Sequence, residues 1–145
     1  KIIDARRYPL DCCFSMFKQL FAQGQEFSYG LAEAGSYYKS YVKLMNHWNA
    51  VLPDKILRVS NEDIIEDLEG QVKRMLEFLE LPYEEECISF YETDRSVRTA
   101  SSEQVRRPIN KEGMERWKPY SKHLKPLLNS LGEELLKPED IALLN

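Results

Sequence analysis

Cysteine is scarce in this sequence, and its placement excludes two classes of small domain. The 145 residues contain three cysteines, of which Cys12 and Cys13 are adjacent and Cys87 is distant. This spacing provides neither a disulfide framework nor a Cys-x-x-Cys metal pair. We therefore expect three buried, reduced thiols and no metal site.

Long apolar runs are also missing. No stretch approaches the ~20 apolar residues that a membrane-spanning helix needs. The first ten residues have neither the apolar core nor the cleavage site of a signal peptide, and we find no internal repeat or low-complexity segment. With 43% hydrophobic and 30% charged residues, the chain has the composition of one soluble globular unit. We expect it in the cytoplasm, without a membrane partner.

The net charge of −4 conceals a strong asymmetry. Residues 60–94 contain twelve acidic and two basic side chains, whereas residues 95–118 contain seven basic and three acidic ones. A basic segment in an acidic chain predicts a local anionic ligand, because proteins that bind nucleic acid are usually basic over a larger surface. The aromatic residues follow helical spacing, which favours core packing over base stacking. We expect no nucleic-acid partner, although a solvated charged loop remains the alternative for the basic segment.

Apolar periodicity predicts an α/β domain that is mostly helical. Strand character falls at residues 1–6 and 55–60, and helices are predicted over residues 9–24, 35–52, 68–79, 83–91, 122–131 and 138–144. Residues 94–120 show no sustained period, and a loop of this length is usually functional. The order of elements fits a layered fold with two strands of a parallel sheet. Because two parallel strands cannot stand alone, we expect further strands upstream of Lys1.

The most distinctive local feature is the run Arg7-Tyr8-Pro9-Leu10-Asp11-Cys12-Cys13-Phe14-Ser15. Arg7 is predicted at the carboxyl edge of a strand, where open α/β sheets bind ligands, and Ser15 early in the next helix. A guanidinium and a hydroxyl near the positive end of a helix dipole suit a terminal phosphate. On this spacing alone, Arg7 as a surface charge and Ser15 as a residue without a role remain an open alternative.

The run RYPLDCCFS resembles the Arg-x-Pro-x-Asp-x-x-x-Ser stretch of the sulfotransferases that depend on 3′-phosphoadenosine 5′-phosphosulfate (PAPS). In that family the Arg and Ser bind the 3′-phosphate of the donor, and Arg7 and Ser15 occupy those places. The similarity continues in order through SYYKSYVKLMNHWNAVLP, RVSNEDIIEDLEGQVKRMLEFLELP and VRTASSEQVRRPINKEGMERWKPY. It is strongest to bacterial sulfotransferases joined to helical repeats and to protein-tyrosine sulfotransferases. The resemblance therefore implies a helical-repeat domain upstream in the same chain.

The resemblance implies that residues 1–145 are the C-terminal part of one P-loop-like, parallel-sheet sulfotransferase domain. Residues 101–110 would wrap the adenosine and the 3′-phosphate of PAPS or of its product 3′-phosphoadenosine 5′-phosphate (PAP), and no metal is implied. The implied donor contacts are Arg7, Ser15, Asn61, Ser101, Ser102, Gln104, Val105, Arg106, Arg107, Pro108, Asn110 and Arg116. The alternative for Arg106 and Arg107 is pairing with the acidic run Glu84-Glu85-Glu86.

Three positions depart from the family pattern. Asn61 stands where a Tyr near the adenine is common, so that contact is absent or comes from another residue. Glu80 stands where a helix-ending Gly is usual, which places the local turn in question. Gln19 stands where some relatives have a second basic residue.

The largest absence concerns catalysis. No Gly-x-x-x-x-Gly-Lys-Ser/Thr pattern occurs in the sequence, and the resemblance places the phosphosulfate loop and the catalytic base upstream. We assign no catalytic role to His47 or His123, the two histidines. The parent enzyme would transfer a sulfuryl group to an unidentified hydroxyl or amine acceptor, and this chain alone would be inactive. The alternative is a non-catalytic helical interaction module whose basic loop docks an acidic partner.

Overall fold

The computed structural model describes residues 1–21, 23–93, 96 and 102–144. Two strands and six α-helices occur there: β1 Ile2–Arg6, α1 Pro9–Lys18, α2 Leu31–Val51, β2 Ile56–Ser60, α3 Asn61–Glu66, α4 Leu68–Leu79, α5 Lys125–Leu131 and α6 Pro138–Leu144. Short 3₁₀ turns lie at Glu26–Tyr29, Glu85–Cys87, Phe90–Glu92, Gln104–Arg106, Lys118–His123 and Glu133–Leu135. No helix among the described residues is both long and apolar enough to cross a membrane.

The chain forms two compact units. The first comprises Lys1–Arg6 with Lys55–Glu112, and the second comprises Arg7–Asp54 with Gly113–Asn145. The chain passes from the first unit to the second between Arg6 and Arg7, so β1 belongs to the first unit and α1 to the second.

The first unit is built on a parallel strand pair. β1 and β2 pair with Ile2 opposite Ile56 and Arg6 opposite Ser60, so their carboxyl ends lie at the same edge of the sheet. Among the described residues of this unit, the buried apolar side chains are Val59 of β2 and Val72 of α4. The parallel pairing and the helices after β2 confirm the α/β character predicted from the sequence.

Side-chain caps begin both helices that follow β2. Ser60 Oγ accepts a hydrogen bond from the backbone N–H of Asp63 at 3.1 Å and starts α3. Asp67 Oδ1 accepts from the N–H of Gly70 at 2.9 Å and starts α4. The predicted helix at residues 68–79 is confirmed, whereas α3 was not predicted. The Ser60-x-x-Asp63 spacing, typical of a helix start, was the available signal.

Glu80 ends α4 in the left-handed conformation that usually selects glycine. Its φ is 61°, and the next residue, Leu81, donates its N–H to the carbonyl of Leu76 at 2.9 Å. A non-glycine residue in this region costs about 1 kcal/mol. The turn thus forms without the glycine that the family pattern has, and the exposed Glu80 carboxylate pairs with Lys1 Nζ at 2.7 Å.

The predicted helix at residues 83–91 is wrong. Two 3₁₀ turns, Glu85–Cys87 and Phe90–Glu92, stand there, and their backbone bonds close over three residues, as from Cys87 N–H to the Glu84 carbonyl. Ser89 has a φ of −92° and a ψ of 33°, which interrupts a continuous helix. Cys87 is consequently only partly buried.

The second unit has a helical core. α2 packs against α5 and α1, and the 3₁₀ segment Lys118–His123 and α6 contact each other and α5. The buried apolar side chains of this core are Leu10, Cys13, Phe14, Ala34, Tyr38, Val42, Trp117, Leu124, Leu127, Leu128, Leu131 and Leu144. The prediction of three buried thiols is correct for Cys13 and wrong for Cys12, which is partly exposed.

Several predicted boundaries in this unit shift. α1 ends at Lys18 and not at Gly24, since Leu20 is 80% exposed and a longer helix would bury little more apolar surface. α2 begins at Leu31, one turn before the predicted Gly35. Trp48 is 41% exposed, since the buried residues of α2 lie in its first half. The last helix is confirmed, and α5 begins at Lys125, three residues later than predicted.

Candidate functional site

The structure holds Arg7, the main predicted anion ligand, at two points. The carbonyl of Arg7 accepts a hydrogen bond from the Tyr38 hydroxyl of α2 at 2.7 Å. Its Nη2 donates to the carbonyl of Gly113. The side chain is half-buried, and its Nε is buried without a hydrogen-bond acceptor among the described residues. A buried donor of this kind is costly unless a ligand or water accepts from it.

The helix that follows Arg7 begins without a side-chain cap. Tyr8 is the N-cap residue and makes no capping hydrogen bond, and Pro9 begins α1. The N–H groups of the next two residues have no intrahelical acceptor because they lie in the first turn. Uncapped donors and the positive end of the helix dipole favour a negative group at this end of α1.

Ser15 lies in the second turn of α1, because the helix begins at Pro9 as predicted. It is the seventh residue of a ten-residue helix, so at ~1.5 Å per residue it is about 9 Å along the axis from Pro9. This position agrees with the expectation that Ser15 lies in the first turns of the helix, although it is beyond the free N–H groups of the first turn. Its side chain is exposed and makes no hydrogen bond with a described residue. Joint binding of one phosphate by Arg7 and Ser15 stays a prediction.

The residue between Arg7 and the helix is fixed by the C-terminal helix. Tyr8 donates its hydroxyl hydrogen to Asp140 Oδ2 at 2.6 Å, and the backbone N–H of Lys137 donates to the same hydroxyl oxygen at 3.1 Å. Asp140 is buried. Burial and the hydrogen bond to Asp140 raise the pKa of Tyr8 well above its ordinary range. Tyr8 therefore remains a neutral donor to a buried carboxylate.

Lys118 provides positive charge beside two buried carboxylates. Its hydrogen bond to Glu115, at 2.7 Å, raises its pKa most, and Asp140 and Asp11 raise it further. Asp11 and Asp140 are both buried. These three carboxylates favour the protonated form of Lys118.

Arg116, the predicted anion ligand next to Trp117, has an exposed side chain. It stands between Glu115, which has a φ of 57°, and the fully buried Trp117. Its side chain is exposed and makes no hydrogen bond or ion pair within the described part of the chain. The buried tryptophan fixes the backbone next to a free guanidinium.

The remaining predicted site residues belong to the first unit, and Ser101 lies outside the described residues. Asn61 is the first residue of α3, and its side chain makes no hydrogen bond with a described residue. Asn110 is engaged locally, since its Oδ1 accepts from the Glu112 N–H at 3.0 Å. Ser102 and Val105 are partly buried, while Gln104, Arg106, Arg107 and Pro108 are exposed.

Among the ion pairs of the described residues, none joins Arg106 or Arg107 to the glutamates at 84–86. Arg106 Nη1 donates to the carbonyl of Thr93. Arg107 makes no ion pair or hydrogen bond through its side chain to any residue that the structure describes. Arg107 is therefore available to an external anion.

Sequence reasoning did not find the residues that hold Arg7 and Tyr8. Gly113 and Tyr38 contact Arg7, and Asp140 contacts Tyr8. Gly113 lies inside the basic segment at residues 95–118, so its place near an anion site could have been predicted from the charge pattern. Nothing in the local sequence connects Tyr38 or Asp140 with Arg7 or Tyr8, because these contacts join positions 31 and 132 residues apart.

A surface depression of about 380 Å³ in the second unit does not involve the predicted site. Its lining residues are Phe27, Ala32, Glu33, Ser36, Tyr37 and Ser40. None of the predicted donor contacts is among them. Within the described residues, no group of three or more His, Cys, Asp or Glu side chains could hold a metal ion.

Comparison with known proteins adds independent information. Residues 1–85 match the sulfotransferase family. The chain is also similar to a protein of Aquifex aeolicus (strain VF5) described as an uncharacterized protein, with 34% identity over 143 residues. That match covers 97% of this chain but 19% of the length of the relative, and no solved structure matches the chain. Because the family match at residues 1–85 covers more than half of the chain, the chain belongs to the sulfotransferase family.

Proposed function

We propose that the protein transfers a sulfuryl group from PAPS to a hydroxyl or amine acceptor, and that this chain binds the 3′-phosphate and adenosine of the donor. Family membership supports sulfuryl transfer as the class of reaction. PAPS supplies the sulfuryl group, and the residues of this chain bind and orient it. The chain would be the C-terminal part of a P-loop-like sulfotransferase domain.

The proposal rests on the way in which Arg7 is held and on its unpaired Nε. Its backbone and its Nη2 are held by Tyr38 and Gly113, while its buried Nε has no acceptor among the described residues. A fixed guanidinium with an unused buried donor fits a phosphate oxygen, because charge-assisted hydrogen bonds are strong and geometrically specific. The uncapped start of α1 adds backbone donors on the residues that follow.

Arg116 supports the same proposal from another segment of the second unit. Its exposed, unpaired guanidinium can close on a bound anion without breaking an existing contact with a described residue. The adenosine contacts from Asn61 and residues 101–110 remain part of the proposal. The contacts to the phosphosulfate would come from a Gly-rich loop of a kind that this sequence does not contain.

Nucleotide titration of the full-length protein tests the proposal. Calorimetry should compare PAP with adenosine 5′-phosphate, which lacks the 3′-phosphate. A hydrogen bond to a charged group contributes about 1.5 to 3 kcal/mol, so Arg7→Ala should weaken PAP binding roughly ten- to a hundredfold. Arg116→Ala should act in the same direction. Neither change should alter the weaker binding of adenosine 5′-phosphate.

Lys73→Ala is the matched control. It removes one positive charge, and the exposed pair of Lys73 with Glu69 on α4 contributes little to stability. This variant should bind PAP like wild type. Equal binding of the two nucleotides by the wild-type protein would remove the 3′-phosphate from the proposal and favour a non-catalytic interaction module.

A further inference from the structure

Gly113 and Arg7 are joined across 106 positions of the sequence within the second unit. Nη2 of Arg7 donates to the Gly113 carbonyl, and this contact is partly buried. It fixes the end of a long side chain that would otherwise sample many rotamers. Arg loses about 2 kcal/mol of rotamer entropy when it is immobilised, and an anchor that exists before a ligand arrives reduces that loss on binding.

A side chain at position 113 would meet the same guanidinium. A Cβ placed there would lie 3.1 Å from Arg7 Nη2 and 3.8 Å from Arg7 Cζ, and no other described atom lies within 4 Å. The shorter distance is too close for ordinary contact, so the guanidinium would have to move by a few tenths of an ångström. Gly113 is not among the glycines with positive φ. Its backbone therefore accepts alanine, and the neighbouring arginine is what favours glycine.

We propose that Gly113 is a positioning residue that sets the orientation of Arg7 toward the 3′-phosphate. This inference rests on the proposed function, because it assigns the anion that Arg7 binds to the donor nucleotide. Two properties of Gly113 act together. Its carbonyl accepts from Nη2, and its missing Cβ leaves room for the guanidinium plane. Nε then stays available for a phosphate oxygen, and small shifts of such a group weaken a directional hydrogen bond.

Gly113→Ala in the full-length protein is the first test. We expect PAP to bind about three- to tenfold more weakly and adenosine 5′-phosphate to bind as it does to wild type. The midpoint of thermal unfolding should not fall, because replacing glycine at an unstrained position restricts the unfolded chain. Gly30→Ala is the matched control. Gly30 has a φ of −124°, and the three atoms nearest to a Cβ there belong to the carboxylate end of the flexible Glu33 side chain.

A double-mutant cycle with Arg7→Ala tests whether the effect passes through the guanidinium. In the Arg7→Ala background, Gly113→Ala should change PAP affinity by less than about twofold, since the group that it displaces is gone. An equal effect in both backgrounds would overturn the inference. A loss of affinity for both nucleotides with a lower unfolding temperature would also overturn it, because that result indicates a general structural defect.

Different results would contradict the donor-site proposal and the positioning role of Gly113. If Arg7→Ala weakens PAP binding and Gly113→Ala does not, the donor site stands and the positioning role of Gly113 is wrong. If Arg7→Ala leaves PAP binding unchanged, the donor-site proposal itself is wrong, and the inference for Gly113 is wrong with it.

Discussion

The hydroxyl of Tyr8 lies 2.6 Å from Asp140 Oδ2 and joins the residue before α1 to the C-terminal helix α6. The phenol donates to a buried carboxylate and accepts from the N–H of Lys137 at 3.1 Å. The Tyr8 hydroxyl thus connects the N-terminal segment of the second unit to its C-terminal helix. Because Tyr8 follows Arg7 directly, the C-terminal helix also restrains the backbone at the proposed phosphate ligand.

Removal of this hydroxyl should destabilise the protein. Tyr8→Phe leaves the Asp140 carboxylate buried without its donor, and a hydrogen bond to a charged group contributes about 1.5 to 3 kcal/mol. We expect a loss of that size in the free energy of unfolding, measured by urea denaturation. Tyr37→Phe is the control, because Tyr37 is exposed and its hydroxyl bonds to no described residue. Equal stability of the two variants would contradict the role of the Tyr8–Asp140 contact.

The same contact predicts a dependence on alkaline pH. Burial, followed by the Asp140 hydrogen bond, raises the pKa of Tyr8 in the folded protein above its ordinary value of about 10. Above that pH the unfolded chain loses the Tyr8 proton while the folded protein keeps it. The stability contributed by Tyr8 is therefore complete below about pH 10 and declines as pH rises toward the folded pKa.

Urea denaturation of wild type and Tyr8→Phe at intervals above about pH 10 measures this decline. The wild-type free energy of unfolding should fall more steeply, with a difference in slope that approaches about 1.4 kcal/mol per pH unit. All other titrating groups are shared by the two proteins, so their contributions cancel. Parallel curves would show that Tyr8 ionises equally in the folded and unfolded states.

Gly35→Ala should destabilise the helical core although it replaces glycine inside a helix. Helix propensity alone predicts a gain of about 1 kcal/mol. A Cβ at this position, however, would lie 2.0 Å from Ser130 Oγ and 3.0 Å from Leu127 Cδ1. Overpacking of this kind usually costs about 1 to 3 kcal/mol, so we expect a net loss in thermal or urea denaturation.

Ser36→Ala gives the contrast for that prediction. Ser36 is the next residue of α2 and is exposed, so the change brings the propensity gain without a contact in the core. A small increase in stability is expected. If Gly35→Ala were also stabilising, the close approach of α2 and α5 would be wrong.

The two arginines around Asp4 should contribute unequally to the stability of the first unit. The Asp4 side chain is 2% exposed, with Arg6 Nη2 at 2.8 Å and Arg58 Nε at 3.8 Å. Arg6 is largely buried, so Arg6→Ala removes the closer charged partner of a buried carboxylate and should cost about 3 kcal/mol. Arg58 is half-exposed, and Arg58→Ala should cost at most about 1 kcal/mol. Equal losses in urea denaturation would refute this ranking.

The 145-residue chain by itself should not transfer sulfuryl groups. Its sequence lacks the Gly-rich phosphosulfate loop, and neither histidine is assigned as a base. The assay should follow PAP release from PAPS with a phenol and with an amine as acceptor. Turnover above a control without protein would show that the active site is complete within these residues.

The candidate site could be predicted only in part. The strand-to-helix position of Arg7 followed from the order of apolar and turn residues, which are local signals. The place of Ser15 in the second turn of α1 followed too, because the predicted start of the helix at Pro9 is the observed one. The residues that hold Arg7 come from distant segments, and no local pattern links Tyr38 or Gly113 to it.

The sequence by itself determined the parallel α/β character, the helix at residues 68–79 and the basic segment, because periodicity and charge are properties of neighbouring residues. It also contained the family pattern that the match over residues 1–85 supports. Tertiary structure alone decided that Glu80 adopts a left-handed turn, that Gly35 lies against Leu127 and Ser130, and that Gly113 faces the Arg7 guanidinium. These features depend on which distant atoms approach within a few ångströms, and packing of the whole unit fixes those distances.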